Sequence, residues 1–149
     1  LRQHGCPLEL CTLAIRAEQL QRAGTELQAG ITRLHGTGYR LALIHSNGDS
    51  SDPGLLLQRL PFSELQLSAP NPRDPRLEAS QQALFTALVH LGQARGLKIS
   101  AINLQTRQQC EAVQALPIEL FAGSLIGAPV EDPSELLMKA ARRNNTIGA

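Results

Sequence analysis

His45 is the side chain of this sequence best suited to moving a proton near neutral pH. Ser46 adjoins it, and Asp49 and Asp52 follow. A carboxylate that orients a histidine beside a hydroxyl is the pattern of nucleophilic catalysis. Here Ser46 is the sole paired nucleophile and the two aspartates lie in the same loop, so His45 reads as a loop histidine. His4, Cys6 and Cys11 offer soft metal ligands, but no second Cys/His pair completes a zinc pattern. Cys11 reads as a small apolar filler of a strand. Asn47-Gly48-Asp49 is a turn without the glycines and lysine of a phosphate cradle. Ser50-Ser51-Asp52 has turn and helix-cap chemistry. Arg142-Arg143 complements the negative end of a last helix. No catalytic residue, metal ligand or cofactor site is expected from these groups.

The elements that would position them are clearer. The chain has 149 residues, enough for one domain with a real core. Aromatic residues make up 3%, so that core must be aliphatic. A net charge of +1, with the signs mixed, gives no footprint for a nucleic acid polymer or an anionic membrane. No apolar run approaches the ~18 residues of a membrane-spanning helix. LRQHGC is not the start of a signal peptide. Three cysteines, Cys6, Cys11 and Cys110, fit a reduced, cytoplasmic setting.

Leu1 to Gly5 reads as the end of a helix, which points to a piece of something longer. Strands are expected near residues 8–13, 40–44, 64–68, 97–102 and 118–122. Helical spacing runs from Ile15 to His35, with Leu20, Leu27, Ile31 and Leu34 on one face and a break at Gly24. Asp52 caps a short helix that has Pro53 at its first position. APNPRDP, at 69–75, is loop. A long helix follows from Arg76 to Arg95, with Leu77, Leu84, Leu88 and Leu91 inward. Thr106-Arg-Gln-Gln109 resembles a capping box. A final helix begins at Asp132 and ends near Arg143; residues 144–149 form a frayed tail. The halves echo each other: a helix ends at Gly38 or Gly96, a strand and short helix follow, then Leu60-Pro61 or Leu116-Pro117. A repeated βα unit implies an α/β fold with mostly parallel strands. A partial or complete (β/α) barrel of the TIM type fits it best, with an open doubly wound sheet as the alternative.

In this order the chain resembles the EAL domain of bacterial cyclic di-GMP phosphodiesterases. The family's strands read roughly LELEITE, RIALDDFGTGY, LKID, VVAEGVET and QGYLFGRP. This chain has LELCTLA at 8–14, RLALIHSNGDSS at 40–51, LPFSELQLS at 60–68, GLKISAINLQT at 96–106 and FAGSLIGAPV at 121–130. The resemblance covers residues 1–143, the later part of the domain and about five of the eight strands of such a barrel.

Carried across by position, the family's metal-binding Glu falls on Cys11 and that motif's last Glu on Ala14. The Asp pair falls on Ile44 and His45. The Lys and Asp of LKID fall on Gln66 and Ser68. The two Glu of EGVET fall on Ile102 and Gln105, and the Gln of QGY on Ala122. The resemblance thus implies a scaffold whose former catalytic positions hold no metal ligand. No hydrolysis is expected, and no cofactor. The expected role is a regulatory or protein-interaction module in cyclic di-GMP signalling. Its partner would be a protein, a further domain of the same polypeptide or a second copy. A non-hydrolysing cyclic di-GMP receptor is the alternative, not favoured. Asn47, Ser68, Asn103 and Gln105, with Ser50, Arg73 and Arg107, are the weak ligand candidates; ordinary loop polarity is the preferred account of them.

Overall fold

A computed structural model describes Leu8, residues 11–70 and residues 75–127. The elements are β1 Thr12–Arg16, α1 Ala17–Arg22, α2 Gly24–Gly36, β2 Arg40–His45 and α3 Pro53–Arg59. Then come β3 Glu64–Ser68, α4 Pro75–Ala94, β4 Lys98–Ile102, α5 Arg107–Val113 and β5 Leu120–Phe121. One five-stranded sheet has the order β1-β2-β3-β4-β5, and every pair is parallel. An order that never reverses is that of a barrel wall. It excludes the doubly wound alternative, in which the order switches direction.

Four expectations shift. The first strand begins at Thr12, not at residue 8, and extends to Arg16. Its period-two alternation continues through Ile15 and hides the start of the helix. The last strand is Leu120–Phe121 only. The helix expected over 15–35 is two helices, because Gly24 adopts φ +67, a left-handed conformation that glycine takes freely. In α4 the inward residues are Phe85, Leu88, Val89 and Gly92, while Leu84 is 48% exposed. The expected Asp132–Arg143 helix, the 144–149 tail and the positions His4, Cys6, Arg73 and Arg142-Arg143 lie outside the described residues.

The two half-repeats share their hydrogen bonds. Phe62 N–H donates to Leu60 and Ile118 N–H to Leu116, both at 2.9 Å. Ser63 N–H then reaches Leu41 at 2.9 Å, and Glu119 N–H reaches Ile99 at 3.0 Å. Each Leu-Pro turn therefore delivers the next strand in the same way. Both caps form as their residue types require. Asp52 accepts from Leu55 N–H at 3.1 Å, and Thr106 accepts from Gln109 N–H at 3.2 Å.

The core lies between sheet and helices. Leu41, Leu43, Leu65, Leu67, Ile99 and Ala101 meet Leu20, Ile31, Leu56, Leu88 and Val89 there. Gly92 lets α4 come close: a Cβ there would stand 3.2 to 3.3 Å from Ile99 and Leu65 side-chain atoms. Gly123 is tighter, since a Cβ would meet the Leu104 backbone at 2.2 Å. Leu104 N–H donates to Ala122, and Leu125 N–H donates to Leu104, so the chain after β5 straps the end of β4.

Leu65→Ala, at a fully buried position, is expected to cost about 2–5 kcal/mol in urea unfolding. Gly123→Ala is expected to cost about 3 kcal/mol through backbone displacement at Leu104. A neutral result there would mean that the strap is loose.

Candidate functional site

In parallel barrels chemistry sits at the carboxyl ends of the strands. Alternation divides each strand between two faces. With Leu41, Leu43, Leu65, Leu67 and Ile99 against the helices, the other face carries Ala14, Ile44, Gln66 and Ile102. The register agrees: Ala14 stands beside Ala42, Ile44 beside Gln66, and Ser68 beside Ile102. Side-chain bonds confirm the shared face lower down. Glu64 accepts from Gln66 Nε2 at 2.9 Å and from Ser100 Oγ at 2.8 Å.

Cys11 needs a correction. It precedes β1 at the amino end, and its carbonyl accepts from Arg40 N–H at 3.0 Å. A carboxylate there would lie at the wrong end of the strand for this site. Thr12, Ala14 and Arg16 share the inward face of β1, so Ala14 rather than Cys11 stands in the site. Ala122 follows β5, held by its N–H to Ala101 at 2.9 Å.

An open cleft of about 370 Å³ lies at the strand ends, lined by Ser46, Asn47, Ser68, Asn103, Gln105 and Gln109. Its polar groups are largely engaged with one another. Asn47 Nδ2 donates to the Ala69 carbonyl at 2.7 Å, and Asn103 Nδ2 to Ser68 Oγ at 3.0 Å. Asn103 takes φ +61, a left-handed conformation that asparagine tolerates. Gln109 is the hub that the sequence reading missed. Its Oε1 accepts from Gln105 N–H at 2.8 Å and Thr106 N–H at 3.1 Å, while Nε2 donates to Pro70 at 3.0 Å. The capping-box spacing was the signal, but local spacing could not show the tie to Pro70. Gln105 is exposed, and Arg107 pairs with Glu111 at 3.1 Å.

Hard divalent cations take oxygen ligands, and a two-metal site needs carboxylates to offset their charge. Ala14, Ile44, Gln66, Ile102 and Ala122 supply none, so this donor set does not fit a metal pair. Among the described residues no group of three or more His, Cys, Asp or Glu is arranged to hold a metal ion.

His45 faces the helix layer. It is buried and borders a small cavity of about 30 Å³ with Asn47, Ser68, Leu84, Phe85 and Leu88. Burial lowers its pKa, against the pull of the Asp49 charge and the Ser51 backbone. Partial burial works to raise Asp49, but Ser51, His45 and the Glu18 backbone outweigh it and hold its carboxyl below the ordinary value. Ser51 N–H donates to Asp49 at 2.8 Å. These groups lock the loop after β2.

The fold has known relatives. MucR of Pseudomonas aeruginosa, a bifunctional diguanylate cyclase/cyclic di-GMP phosphodiesterase, is 33% identical over 84 residues, which is 56% of this chain and 12% of MucR. A solved MucR phosphodiesterase in complex with c-di-GMP superposes with a TM-score of 0.76 at 26% identity, covering 92% of this chain and 54% of that one. The EAL domain of Mycobacterium smegmatis DcpA gives 0.71 at 21% identity, covering 95% of this chain and 62% of that one. Klebsiella pneumoniae BlrP1, in its calcium/cy-diGMP complex, gives 0.73 at 20%, covering 84% and 32%. The chain thus spans only part of each relative. Among the described residues no helix is long and apolar enough to cross a membrane.

The buried histidine sets a measurable pH dependence. Unfolded His45 takes a proton near 6.5, and folded His45 takes it lower. Between those values the unfolded chain binds more protons, so stability should fall as pH drops from about 7 toward 5. Asp49 adds a separate loss at lower pH, as the pH falls below its ordinary value of 3.8 and through its folded one. Urea midpoints across pH would check this, and His45→Gln should flatten the upper slope. Strand order, repeat and relatives point the same way, and the EAL domain family model matches residues 1–129: the chain belongs to the EAL domain family.

Proposed function

We propose that this EAL domain does not hydrolyse cyclic di-GMP and serves as a regulatory or protein-interaction module in bacterial cyclic di-GMP signalling. One observation carries the reading. The inward strand ends hold Ala14, Arg16, Ile44, Gln66, Ile102 and Ala122, where metal-assisted hydrolysis needs carboxylates. Losses of groups that act as a unit are collective, so no single remaining residue restores the chemistry. The module works in the bacterial cytoplasm, in keeping with an odd cysteine count. Its partner is a protein or a further domain of the same polypeptide.

A second reading rests on the cleft of about 370 Å³, which is open at the strand ends and within the size range of ligand pockets. It makes the domain a non-hydrolysing cyclic di-GMP receptor. The bonds of Asn47 to the Ala69 carbonyl and of Asn103 to Ser68 support the first reading, because a ligand would have to replace them.

Incubation with cyclic di-GMP and Mg²⁺ or Mn²⁺ is expected to yield no linear product by chromatography. Metal-dependent turnover would overturn the proposal. Isothermal titration calorimetry with cyclic di-GMP is expected to show no saturable heat. A clean one-to-one isotherm would favour the receptor reading.

A further inference from the structure

Charge is sorted along the axis of the sheet. In a parallel sheet every strand starts at one end, and the helices between strands return the chain to it. Arg40 and Lys98 are the first residues of β2 and β4. Arg33 lies in the last turn of α2, Arg59 ends α3, and Arg95 follows α4. These five cations therefore stand at the amino end, and all are exposed. Glu18, Asp49 and Asp52 stand at the opposite end, after β1 and β2. The net charge of +1 hides this separation, because it sums over both ends.

The amino end does not neutralise its cations. Among the described residues the ion pairs join Arg22 to Glu18 and Arg107 to Glu111, and none involves these five. Two carboxylates share that end, and both are engaged with other groups. Glu64 accepts from Gln66 Nε2 and Ser100 Oγ, which directs it along the strands and away from the amino end. Glu119 accepts from the Ile99 N–H. Helix dipoles account for Arg33, Arg59 and Arg95, since cations are stabilised at helix carboxyl ends. They do not account for Arg40 and Lys98, which start strands and lie roughly 10 Å apart on either side of β3. Between the cations the surface is partly apolar. Both Leu-Pro turns open there: Pro117 is exposed, and Pro61, Leu97 and Leu116 are half-buried.

We propose that the amino end of the barrel wall is the docking surface for an acidic protein segment that also carries apolar side chains. The proposal rests on the protein-interaction reading above, and it names the chemistry of the partner and the face that meets it. Carboxylates of the segment meet Arg40, Lys98, Arg59 and Arg95, and its apolar side chains cover the Leu-Pro turns. An apolar centre with a charged rim suits a protein. A single-stranded nucleic acid takes exposed aromatic rings to stack its bases, whereas Phe62 is buried here and Tyr39 half-buried. Docking at this end leaves the strand-end cleft open.

Fluorescence anisotropy with a labelled peptide rich in glutamate, with leucines interspersed, tests the surface against an oligothymidylate of matched charge. The peptide should bind saturably and more tightly than the oligothymidylate. Its affinity should fall by about tenfold or more as salt rises from about 0.05 to about 0.5 M. Arg40→Gln/Lys98→Gln and Arg59→Gln/Arg95→Gln should each weaken it by about tenfold, with unchanged circular dichroism. Arg22→Glu makes the same change in net charge on α1, outside the patch, and should alter affinity by less than about twofold. Titration of the parent chain decides the matter even where a paired variant unfolds. No saturable binding, tighter binding of the oligothymidylate, or an equal loss in Arg22→Glu would overturn the proposal. Turnover of cyclic di-GMP would strike at the reading beneath it and leave the peptide result unchanged, so the two failures are distinguishable.

Discussion

The structure depends on a single constraint, the assignment of alternate strand residues to two faces. Leu41 and Leu43, Leu65 and Leu67, and Ile99 and Ala101 are pinned against the helices by burial. A slip of one residue in any strand would turn its whole apolar set away from the core. The register therefore fixes which residues face the barrel centre, whatever their chemistry. Glycine at position 92 and the strap around Leu104 serve the same end, holding α4 and the chain after β5 close to the sheet.

This division separates stability from chemistry. The helix-facing residues carry the core, while Ala14, Ile44, Gln66 and Ile102 contribute little to it. Inward positions can lose charged groups without loss of fold, since removing a carboxylate from a concave site removes repulsion rather than packing. Near the strand ends, polar side chains have been drawn into structural duty. Gln109 ties the start of α5 to Pro70, Asn103 joins β4 to Ser68 on β3, and Asn47 joins the loop after β2 to Ala69. Together these bonds brace adjacent strand ends.

The two edges continue the same logic. A parallel sheet buries both its faces, and its edges expose apolar side chains as well as backbone groups. Leu27 and Leu34 at one edge and Leu125 and Ile126 at the other are unlike ordinary surface residues for that reason.

The sequence by itself determined the αβ repeat, the strands near 40–44, 64–68 and 97–102, each within a residue of its observed bounds, and the caps at Asp52 and Thr106. These follow from local signals: apolar runs, Leu-Pro turns and side chains that satisfy nearby N–H groups. Tertiary structure alone decided the rest. It moved β1 to Thr12–Arg16, because pairing with β2 rather than local alternation sets a strand's ends. With that shift the inward position passed from Cys11 to Ala14. It also turned His45 away from the cleft into the helix layer and made Gln109 a hub, since both outcomes depend on groups far along the chain. Spacing shows which residues share a face; only the packed sheet shows what that face meets.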